Sequence, residues 1–295
     1  MIRVALNGGL GNQLFQYAAG RALAEKNKTE LYFDVLPLYS KLQWKNIATY
    51  RQFELGVFSI NAGKNDILFR NKYLYPLSKM QYFLDRELNR MRYNYFREKD
   101  FSFDAHLLEQ PDNTYLDGHF QSEKYFKEIE GVIRRELQFK ETLSGKNEEW
   151  KMKIGNSASV SLHIRRGDYV RLQKNLNKHG LTSPGYYQKA IEYISAKIRD
   201  PHFYIFTDDA AWVKENFKTN FPFGIIENND TPGTAAFDMH LMSLCRHHII
   251  CNSTFSWWGA WLNADPYKTV IAPQQWFADT SINSKDIYPS EWIKL

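Results

Sequence analysis

Short apolar runs alternate with helical patterns along most of the chain, and this alternation predicts parallel β-sheets covered by helices. The first apolar run extends from Ile2 to Leu6, and a glycine-rich turn and a helical pattern over residues 12–26 follow it. A second apolar run then occupies residues 31–33. Strand, helix and strand in this order form a βαβ unit. The beginning of the chain therefore predicts an α/β fold.

The second half of the chain repeats this arrangement with more regular spacing. Short apolar runs, separated by helical patterns, occupy residues 160–164, 203–206, 224–226, 248–251 and 269–272. Ser183 and Pro184 are typical of a helix start, because serine caps the first turn and proline fits the first helical position. Apolar residues then recur at helical spacing at Tyr187, Ala190, Ile191, Ile194 and Ile198. The pattern predicts a second parallel sheet with helices on both faces.

A segment with few apolar residues separates the two predicted sheets. Residues 141–159 contain two clusters of helix-breaking residues, at 144–147 and 155–157. We therefore predict two domains, 1–150 and 151–295, each a Rossmann-like unit, which face each other across a cleft. In sheets of this kind ligands bind at the carboxyl ends of the strands. The residues that follow the strands are consequently the candidates for function.

Composition and charge exclude several classes of protein. Of the 295 residues, 43% are hydrophobic and 24% are charged, which is typical of a folded globular protein and not of a disordered or fibrous one. A net charge of +5 without long basic tracts favours an anionic small ligand or a membrane surface over a nucleic acid. Cys245 and Cys251 are too few for a disulfide framework. With no signal peptide or membrane span expected, the sequence predicts a cytoplasmic protein.

The turn after the first strand, GGLGN at residues 8–12, is a candidate ligand loop. Glycines let the backbone approach a ligand closely, and a helix N-terminus offers free N–H groups to an anion. Gly9 and Gly11 match the start of the dinucleotide-binding motif GxGxxG, but Leu14 occupies the position of its last glycine. A tight structural turn and the nucleotide site of an NAD-dependent oxidoreductase both stay open as interpretations.

A charged cluster ends the first strand of the second half. Period-two alternation places His163 and Arg165 on one face of this strand and sends Arg166 to the other. An arginine at a strand end can hold a phosphate through two parallel hydrogen bonds. We expect Asp168 to orient Arg165. The alternative is a solvated charge cluster that only closes the strand.

Two further turns follow predicted strands. Asp208 and Asp209 start a helix, and capping of this helix explains them better than metal binding does. Ser253 and Thr254 open another helix, where hydroxyl and N–H groups can hold an anion. The tryptophans after them are expected in the core, although stacking on a sugar is an alternative: Trp257, Trp258 and Trp261.

The stretch from Arg70 to Lys99 is both basic and aromatic. It contains eight Lys or Arg residues interleaved with seven Tyr or Phe residues. We predict a charged amphipathic helix here. A peripheral contact with an anionic membrane, or with a long acceptor, is the second interpretation.

Together the motifs GGLGNQLFQYA, HIRRGDYV, FTDD and NSTFSWWGAWL resemble the bacterial α-1,2-fucosyltransferases of glycosyltransferase family eleven, and YLDGHFQSEKYF at residues 115–126 also looks like that family. The resemblance implies a GT-B-type fold with two domains. It also implies inverting transfer of L-fucose from GDP-β-L-fucose to the 2-hydroxyl of a galactoside, which could be a lipid-linked glycan of O-antigen biosynthesis. No metal or other cofactor is implied, in keeping with the lack of a D-x-D pair.

The same resemblance implies roles for residues near the donor phosphates. In related fucosyltransferases the first arginine of an HxRRxD motif holds the donor β-phosphate, and this role carries over to Arg165. His163 and Asp168 match the flanking positions of that motif. Gly11 and Asn12 match a loop that touches phosphate and acceptor. The residues implied to be catalytic are therefore Arg165, Asn12 and His163.

Further donor-binding residues follow from the resemblance in the last third of the chain. Ser253, Thr254 and Phe255 match a phosphate-binding S-T-F turn. Asp238 falls where related enzymes use an aspartate to recognise guanine. No position in these motifs identifies the general base. A non-catalytic nucleotide-sugar-binding module is the other alternative to an enzyme of this family.

Overall fold

The chain divides into two compact units in its computed structural model. The first unit contains Met1–Lys140 and Ile282–Pro289, and the second contains Glu141–Ser281 and Ser290–Leu295. The boundary predicted at residue 150 falls inside a helix of the second unit. The structure describes residues 1–40, 52–60, 62–64, 75–167, 180–227, 229 and 233–295.

The first unit is built on a parallel sheet of five strands. They are β1 (Ile2–Ala5), β2 (Leu31–Asp34), β3 (Gly63–Lys64), β4 (Asn94–Arg97) and β5 (Thr114–Asp117), in the order β3-β2-β1-β5-β4. The α-helices described in this unit are α1 (Leu10–Asn27), α2 (Leu36–Ser40), α3 (Tyr75–Arg92) and α4 (Glu130–Glu136). The predicted βαβ start is confirmed. Residues 40–140 have no clear pattern beyond helical stretches and a strand end expected at 115–118; β5 confirms that strand end, and the described part of this region contributes two further strands, β3 and β4.

A glycine allows α1 to pack closely on the first sheet. A Cβ atom at Gly20 would lie 2.3 Å from Val4 Cγ2 and 2.9 Å from Leu31 Cδ1, so a larger residue would push the helix away. Val4 and Leu31 are both buried. The contact fixes the start of α1 beside the end of β1, where the glycine-rich turn lies.

The second unit is built on a parallel sheet of six strands. They are β6 (Ala158–Ile164), β7 (Pro201–Thr207), β8 (Phe223–Ile226), β9 (His247–Ile249), β10 (Val270–Ala272) and β11 (Ile293–Lys294), in the order β11-β10-β9-β6-β7-β8. The described α-helices are α5 (Lys146–Gly155), α6 (Pro184–Ser195), α7 (Ala210–Asn216), α8 (Ala235–Leu244) and α9 (Thr254–Leu262). Each predicted apolar run of this half overlaps one of these strands.

The core of the second unit follows the predicted apolar faces. Ser183 caps α6 by accepting a hydrogen bond from the Tyr186 N–H, and four of the five predicted apolar positions of this helix are buried. The tryptophans of α9 are buried as well, with Trp257 and Trp258 fully inaccessible, which confirms the core interpretation. The sequence also predicts an apolar face at Phe237, Leu241, Leu244 and Cys245; Leu241 and Cys245 are buried, whereas Leu244 lies at the last position of α8 and is 39% exposed.

Candidate functional site

Residues from two adjacent strands meet at the carboxyl edge of the second sheet. His163 lies at the end of β6, and its Nδ1 is 3.2 Å from the Sγ of Cys251, which follows β9. The His163 ring also lies 5.9 Å from the ring of Phe255 in the first turn of α9. Because β6 and β9 pair in parallel, their ends lie side by side. The structure thus brings two predicted donor-binding residues, His163 and Phe255, into contact.

Arg165 is held in place by an aspartate from the next strand. Its Nε lies 3.0 Å from Asp208 Oδ2, while Asp208 Oδ1 accepts hydrogen bonds from the N–H groups of Arg166 and Gly167 at 2.8 and 3.0 Å. Burial raises the pKa of Asp208, but the Arg165 charge and the two N–H donors outweigh burial, so this pKa lies below its usual value. Asp208 is therefore an ionised brace for Arg165. Asp168, predicted for this role, lies outside the described residues.

Arg166 has different partners. Its Nε lies 3.3 Å from Asp209 Oδ2, and its guanidinium carbon lies 3.9 Å from the centre of the Trp212 ring. Asp209 also caps α7 by accepting from the Trp212 N–H at 3.1 Å, which confirms the capping interpretation for this aspartate. The two arginines thus have separate partners: Arg166 packs on α7, whereas Arg165 is braced at the end of β6.

His163 is electrically neutral in this environment. Burial lowers its pKa from 6.5 to about 3, and the positive charge of Arg165 acts in the same direction. Burial likewise raises the pKa of Cys251 to about 12, so its sulfur stays protonated. A buried neutral imidazole cannot act as a strong proton acceptor at neutral pH. The geometry supports a positioning role for His163, and its catalytic role stays a prediction.

The turn before α9 is prepared to bind an anion. Ser253 Oγ accepts from the Phe255 N–H at 3.3 Å and thereby caps the helix. Asn252 is fixed on both sides, since its Oδ1 accepts from Thr182 Oγ1 at 3.0 Å and its Nδ2 donates to the Trp276 carbonyl at 3.2 Å. Backbone N–H groups of a first helical turn have no partner within the helix and can bind an anion. This is the chemistry expected of the Ser253–Thr254 turn.

Asp238 belongs to a network of amides. Its Oδ1 accepts from Asn229 Nδ2 at 2.7 Å, and the side-chain amides of Asn229 and Asn147 exchange two hydrogen bonds of 3.0 Å. Asp238 lies in the first turn of α8, where a carboxylate also complements the helix dipole. The structure groups Asp238 with two amides that sequence reasoning missed: Asn229, nine positions away, and Asn147, which lies 82 positions before Asn229.

The corresponding edge of the first sheet carries the glycine-rich turn. Gly8 has a φ of +78°, and a Cβ atom there would lie 2.3 Å from Asn12 Nδ2. Gly11 is buried in the same first turn of α1. Asn12 Oδ1 accepts a hydrogen bond from Gln121 Nε2 at 3.0 Å. With its oxygen engaged in this way, Asn12 can offer amide N–H groups to a ligand.

Two buried glutamines of α1 form hydrogen bonds to the backbone around this turn. Gln13 Nε2 donates to the Gly8 carbonyl at 3.0 Å. Gln16 Oε1 accepts from the Asn7 N–H at 3.0 Å, and its Nε2 donates to the Gly118 carbonyl at 2.9 Å. The glutamines in the motif GGLGNQLFQYA are therefore structural, and they tie the glycine-rich turn to the loop after β5.

The loop after β5 is held by Glu98, a residue that sequence reasoning missed. Its two carboxylate oxygens accept from the N–H groups of His119 and Phe120 at 2.6 and 2.8 Å. Phe120 has a φ of +53°, and a Cβ at Gly118 would lie 2.5 Å from Glu98 Cβ. Burial raises the pKa of Glu98 to about 7 against the lowering effect of these two N–H groups. Glu98 thus fixes the loop that presents Gln121 to Asn12.

Two features are missing from the described part of the chain. No three His, Cys, Asp or Glu side chains there come close enough together to hold a metal ion. No helix there has both the length and the apolar character needed to cross a membrane.

Comparisons with known proteins show the family of this chain and relatives that match nearly all of it. The model of Glycosyl transferase family 11 matches residues 1–295. The O-antigen biosynthesis glycosyltransferase WbnK of Escherichia coli is 35% identical over 306 residues, which cover 98% of this chain and 99% of that protein. An alpha-1,2-colitosyltransferase of Escherichia coli is 32% identical over 298 residues, with 98% and 97% coverage.

More distant likenesses extend over part of the sequence or over the fold. Galactoside 2-alpha-L-fucosyltransferase SEC1 of Bos taurus is 35% identical over 106 residues, which are 36% of this chain and 29% of that protein. The crystal structure of fucosyltransferase NodZ from Bradyrhizobium is 14% identical, with a TM-score of 0.48 and coverage of 88% of this chain and 91% of that one.

Proposed function

Because this chain belongs to glycosyl transferase family 11 and is a glycosyltransferase, we propose that it transfers L-fucose from GDP-β-L-fucose to the 2-hydroxyl of a galactose-containing glycan. The reaction proposed is inverting and needs no metal ion. The names of the relatives support a 1,2-linkage, since one is an alpha-1,2-colitosyltransferase and another is a galactoside 2-alpha-L-fucosyltransferase.

The observation that carries the proposal is the arginine fixed at the end of β6. Departure of GDP develops negative charge on the β-phosphate, and a positive donor already fixed there stabilises the transition state more than the ground state. Arg165, braced by Asp208, is such a donor. The Ser253–Thr254 turn at the end of the neighbouring strand adds hydroxyl and N–H donors. These groups supply the charge stabilisation that a metal ion provides in other transferases.

Asn12 is proposed to act on the acceptor side of the reaction. Its amide oxygen is engaged by Gln121, so its N–H groups are available to orient an oxygen of the acceptor or of the leaving phosphate. An amide is not a proton acceptor at neutral pH. The general base is therefore not Asn12, and the two occupied carboxylate oxygens of Glu98 make it a loop-holding residue.

The acceptor proposed is a galactoside that ends a lipid-linked glycan on the cytoplasmic side of the membrane. WbnK is an O-antigen biosynthesis glycosyltransferase, and it matches this chain over nearly its whole length. The colitosyltransferase supplies a second candidate for the donor. Colitose is L-fucose without its 3-hydroxyl, so the same diphosphate-binding residues would serve GDP-fucose and GDP-colitose alike.

The test offers the purified protein GDP-fucose or GDP-colitose, with lactose as the acceptor, in three parallel reactions: without additive, with EDTA, and with manganese added after EDTA. We expect GDP release with GDP-fucose and, by NMR, an α-fucosyl group on the galactose 2-hydroxyl. A β-linked product would contradict inversion, and activity that EDTA abolishes and manganese restores would contradict metal independence. Transfer from GDP-colitose alone would favour the second donor.

Two controls separate this enzyme from the other classes of protein. GDP binding without GDP release, across a panel of galactosides that differ at the reducing end, would indicate a non-catalytic module. Tight binding of NAD in place of GDP would indicate an oxidoreductase that uses Gly9 and Gly11.

A further inference from the structure

Helix α3 exposes a row of large apolar side chains. The row, called the α3 apolar face below, consists of Met80 (55% exposed), Phe83 (45%), Leu84 (58%), Leu88 (46%) and Met91 (84%). At 100° per residue these five positions fall on one side of the helix. Soluble proteins seldom expose so many large apolar residues together, and such a patch usually marks an interaction surface.

The side of α3 opposite this row carries Asn89, which faces inward. Asn89 is 3% exposed, and its Oδ1 accepts from Arg3 Nη1 at 2.9 Å. The Arg3 guanidinium lies over the rings of Tyr32 and Tyr93, at 4.7 and 5.4 Å from their centres. Over residue 80 and residues 83–92, where the side chains of α3 are described, the exposed side is thus the apolar one, whereas the apolar side of α6 is buried.

The charges around the α3 apolar face are mainly positive. Residues 75–92 contain four Lys or Arg residues and two acidic ones. Glu87 is the acidic residue on the exposed side, and its Oε1 lies 3.2 Å from both Arg86 Nη2 and Arg90 Nη1. The Arg86 guanidinium also lies 5.4 Å from the centre of the Phe83 ring. The one acidic group of this side is therefore neutralised by arginines at the edge of the apolar row.

We propose that the α3 apolar face docks on the surface of an anionic lipid bilayer, with α3 parallel to the membrane plane. Apolar side chains on one side of a helix and arginines at the edge are the features of helices that lie at a bilayer interface. Long arginine side chains reach from the acyl region to the lipid phosphates. A second copy of the chain fits less well, because face-to-face contact of two such helices would bring their arginine edges together.

The test measures co-sedimentation of the full-length protein with vesicles of phosphatidylcholine, with or without 30% phosphatidylglycerol (roughly the anionic content at which basic interfacial helices bind). We expect binding to the anionic vesicles that high salt weakens. Leu84→Asp/Met91→Asp should weaken binding about tenfold or more. The matched control adds the same two charges at exposed positions of the second unit, as Met152→Asp/Leu244→Asp, and should stay within about twofold of the unmodified protein.

Two measurements keep the result unambiguous. Arg86→Gln/Arg90→Gln leaves the apolar row intact and should weaken binding to the anionic vesicles without changing binding to the neutral ones. A misfolded variant would change its binding to both kinds of vesicle. Equal binding to both kinds of vesicle, equal loss in the control, or absence of vesicle binding would overturn the proposal. So would a dimer of the unmodified protein that Leu84→Asp/Met91→Asp dissociates in analytical ultracentrifugation. Neither donor nor acceptor is present, so the outcome is independent of the proposed transfer reaction.

Discussion

The carboxyl edges of the two sheets carry different chemistry, although both sheets are parallel and both edges adjoin helix N-termini. In the second unit the edge is charged, with Arg165 paired to Asp208 and Arg166 paired to Asp209. In the first unit the glycine-rich turn at this edge is held by amides, with Asn12 fixed by Gln121, and the carboxylate of Glu98 accepts hydrogen bonds from the neighbouring loop. One architecture thus carries arginine–aspartate pairs at the edge of one sheet and amide hydrogen bonds around the glycine-rich turn of the other.

The difference fits the two tasks of a glycosyl transfer. A leaving diphosphate gains negative charge in the transition state, and fixed cations stabilise this gain. An acceptor hydroxyl needs orientation more than charge, and amide groups provide direction without a net charge. The comparison therefore predicts different kinetic effects when the two edges are altered.

The largest effect is expected at the charged edge. Arg165→Ala should lower kcat by about 10²–10³, because it removes a preorganised donor to the developing phosphate charge. Arg165→Lys should not restore activity, since an ammonium group lacks the planar pair of donors. The measurement is kcat at saturating GDP-fucose for both variants.

Arg166→Ala is the matched control for this prediction, because Arg166 has its own aspartate and packs on Trp212. Its effect on kcat should be the smaller one. The Tm of each variant shows how much stability is lost with its arginine–aspartate pair, so that a loss of kcat caused by unfolding can be recognised. A larger loss of kcat in Arg166→Ala, or full activity in Arg165→Lys, contradicts the division between the two arginines.

A smaller effect is expected at the glycine-rich turn of the first unit. Asn12→Ala should lower kcat by about 10–100-fold, the effect of losing one or two hydrogen bonds to a charged or reacting group, while the affinity for GDP-fucose changes little. Gln121→Glu should reproduce part of this loss, because a carboxylate cannot donate to Asn12 Oδ1. The parameters to compare are kcat and the KM for each substrate.

Gln138→Glu gives the matched control, since Gln138 is an exposed glutamine of the same unit. Its kcat should equal that of the unmodified protein. Normal turnover of Asn12→Ala combined with weaker donor binding would move Asn12 from the acceptor side to the donor side.

The proposed contact between Asp238 and guanine is expected to affect only the affinity for GDP. Asp238→Asn should weaken GDP binding about tenfold, because an amide cannot accept from both the ring N–H and the exocyclic amine of guanine. The substitution keeps an oxygen that can accept from Asn229. Titration calorimetry with GDP and with ADP measures the change, and an unaltered preference for GDP would leave Asp238 with a helix-capping role only.

The smallest effect concerns the pH dependence of stability. The raised pKa of Glu98, about 7 in the folded state against 4.5 in the unfolded one, means that the folded protein binds this proton more tightly. The stability that this bound proton adds to the folded state is fully present below pH 4.5 and is lost as the pH rises through 7. Between pH 5 and 8 about two pKa units are titrated, which correspond to roughly 3 kcal/mol, so the unmodified protein should lose roughly 5–10 °C of Tm relative to Glu98→Gln. A difference in Tm between the two proteins that stays constant from pH 5 to pH 8 would contradict the raised pKa of Glu98.

Sequence reasoning predicted the second unit better than the first. Its apolar runs match the strands, and the spacing of Tyr187, Ala190 and Ile191 predicted the buried side of α6. Local pattern sufficed there because buried parallel strands and amphipathic helices differ in periodicity. It did not suffice for α3, since periodicity shows that a helix has an apolar side but not which side faces the core.

Contacts between distant residues could not be predicted from local pattern. Asp208 was expected to cap a helix, yet it braces Arg165 because β6 and β7 pair in register. Gln121 meets Asn12 across 109 positions, and Glu98 reaches the same loop from β4. Such pairings depend on strand order, which the sequence does not specify locally.

Whether Arg165 holds the donor diphosphate is tested most directly by a crystal structure of the protein soaked with GDP. We predict that the diphosphate lies at the charged edge of the second sheet, within hydrogen-bonding distance of the Arg165 guanidinium and of the Ser253–Thr254 turn. A diphosphate bound instead at the glycine-rich turn of residues 8–12, without any contact to Arg165, would contradict it.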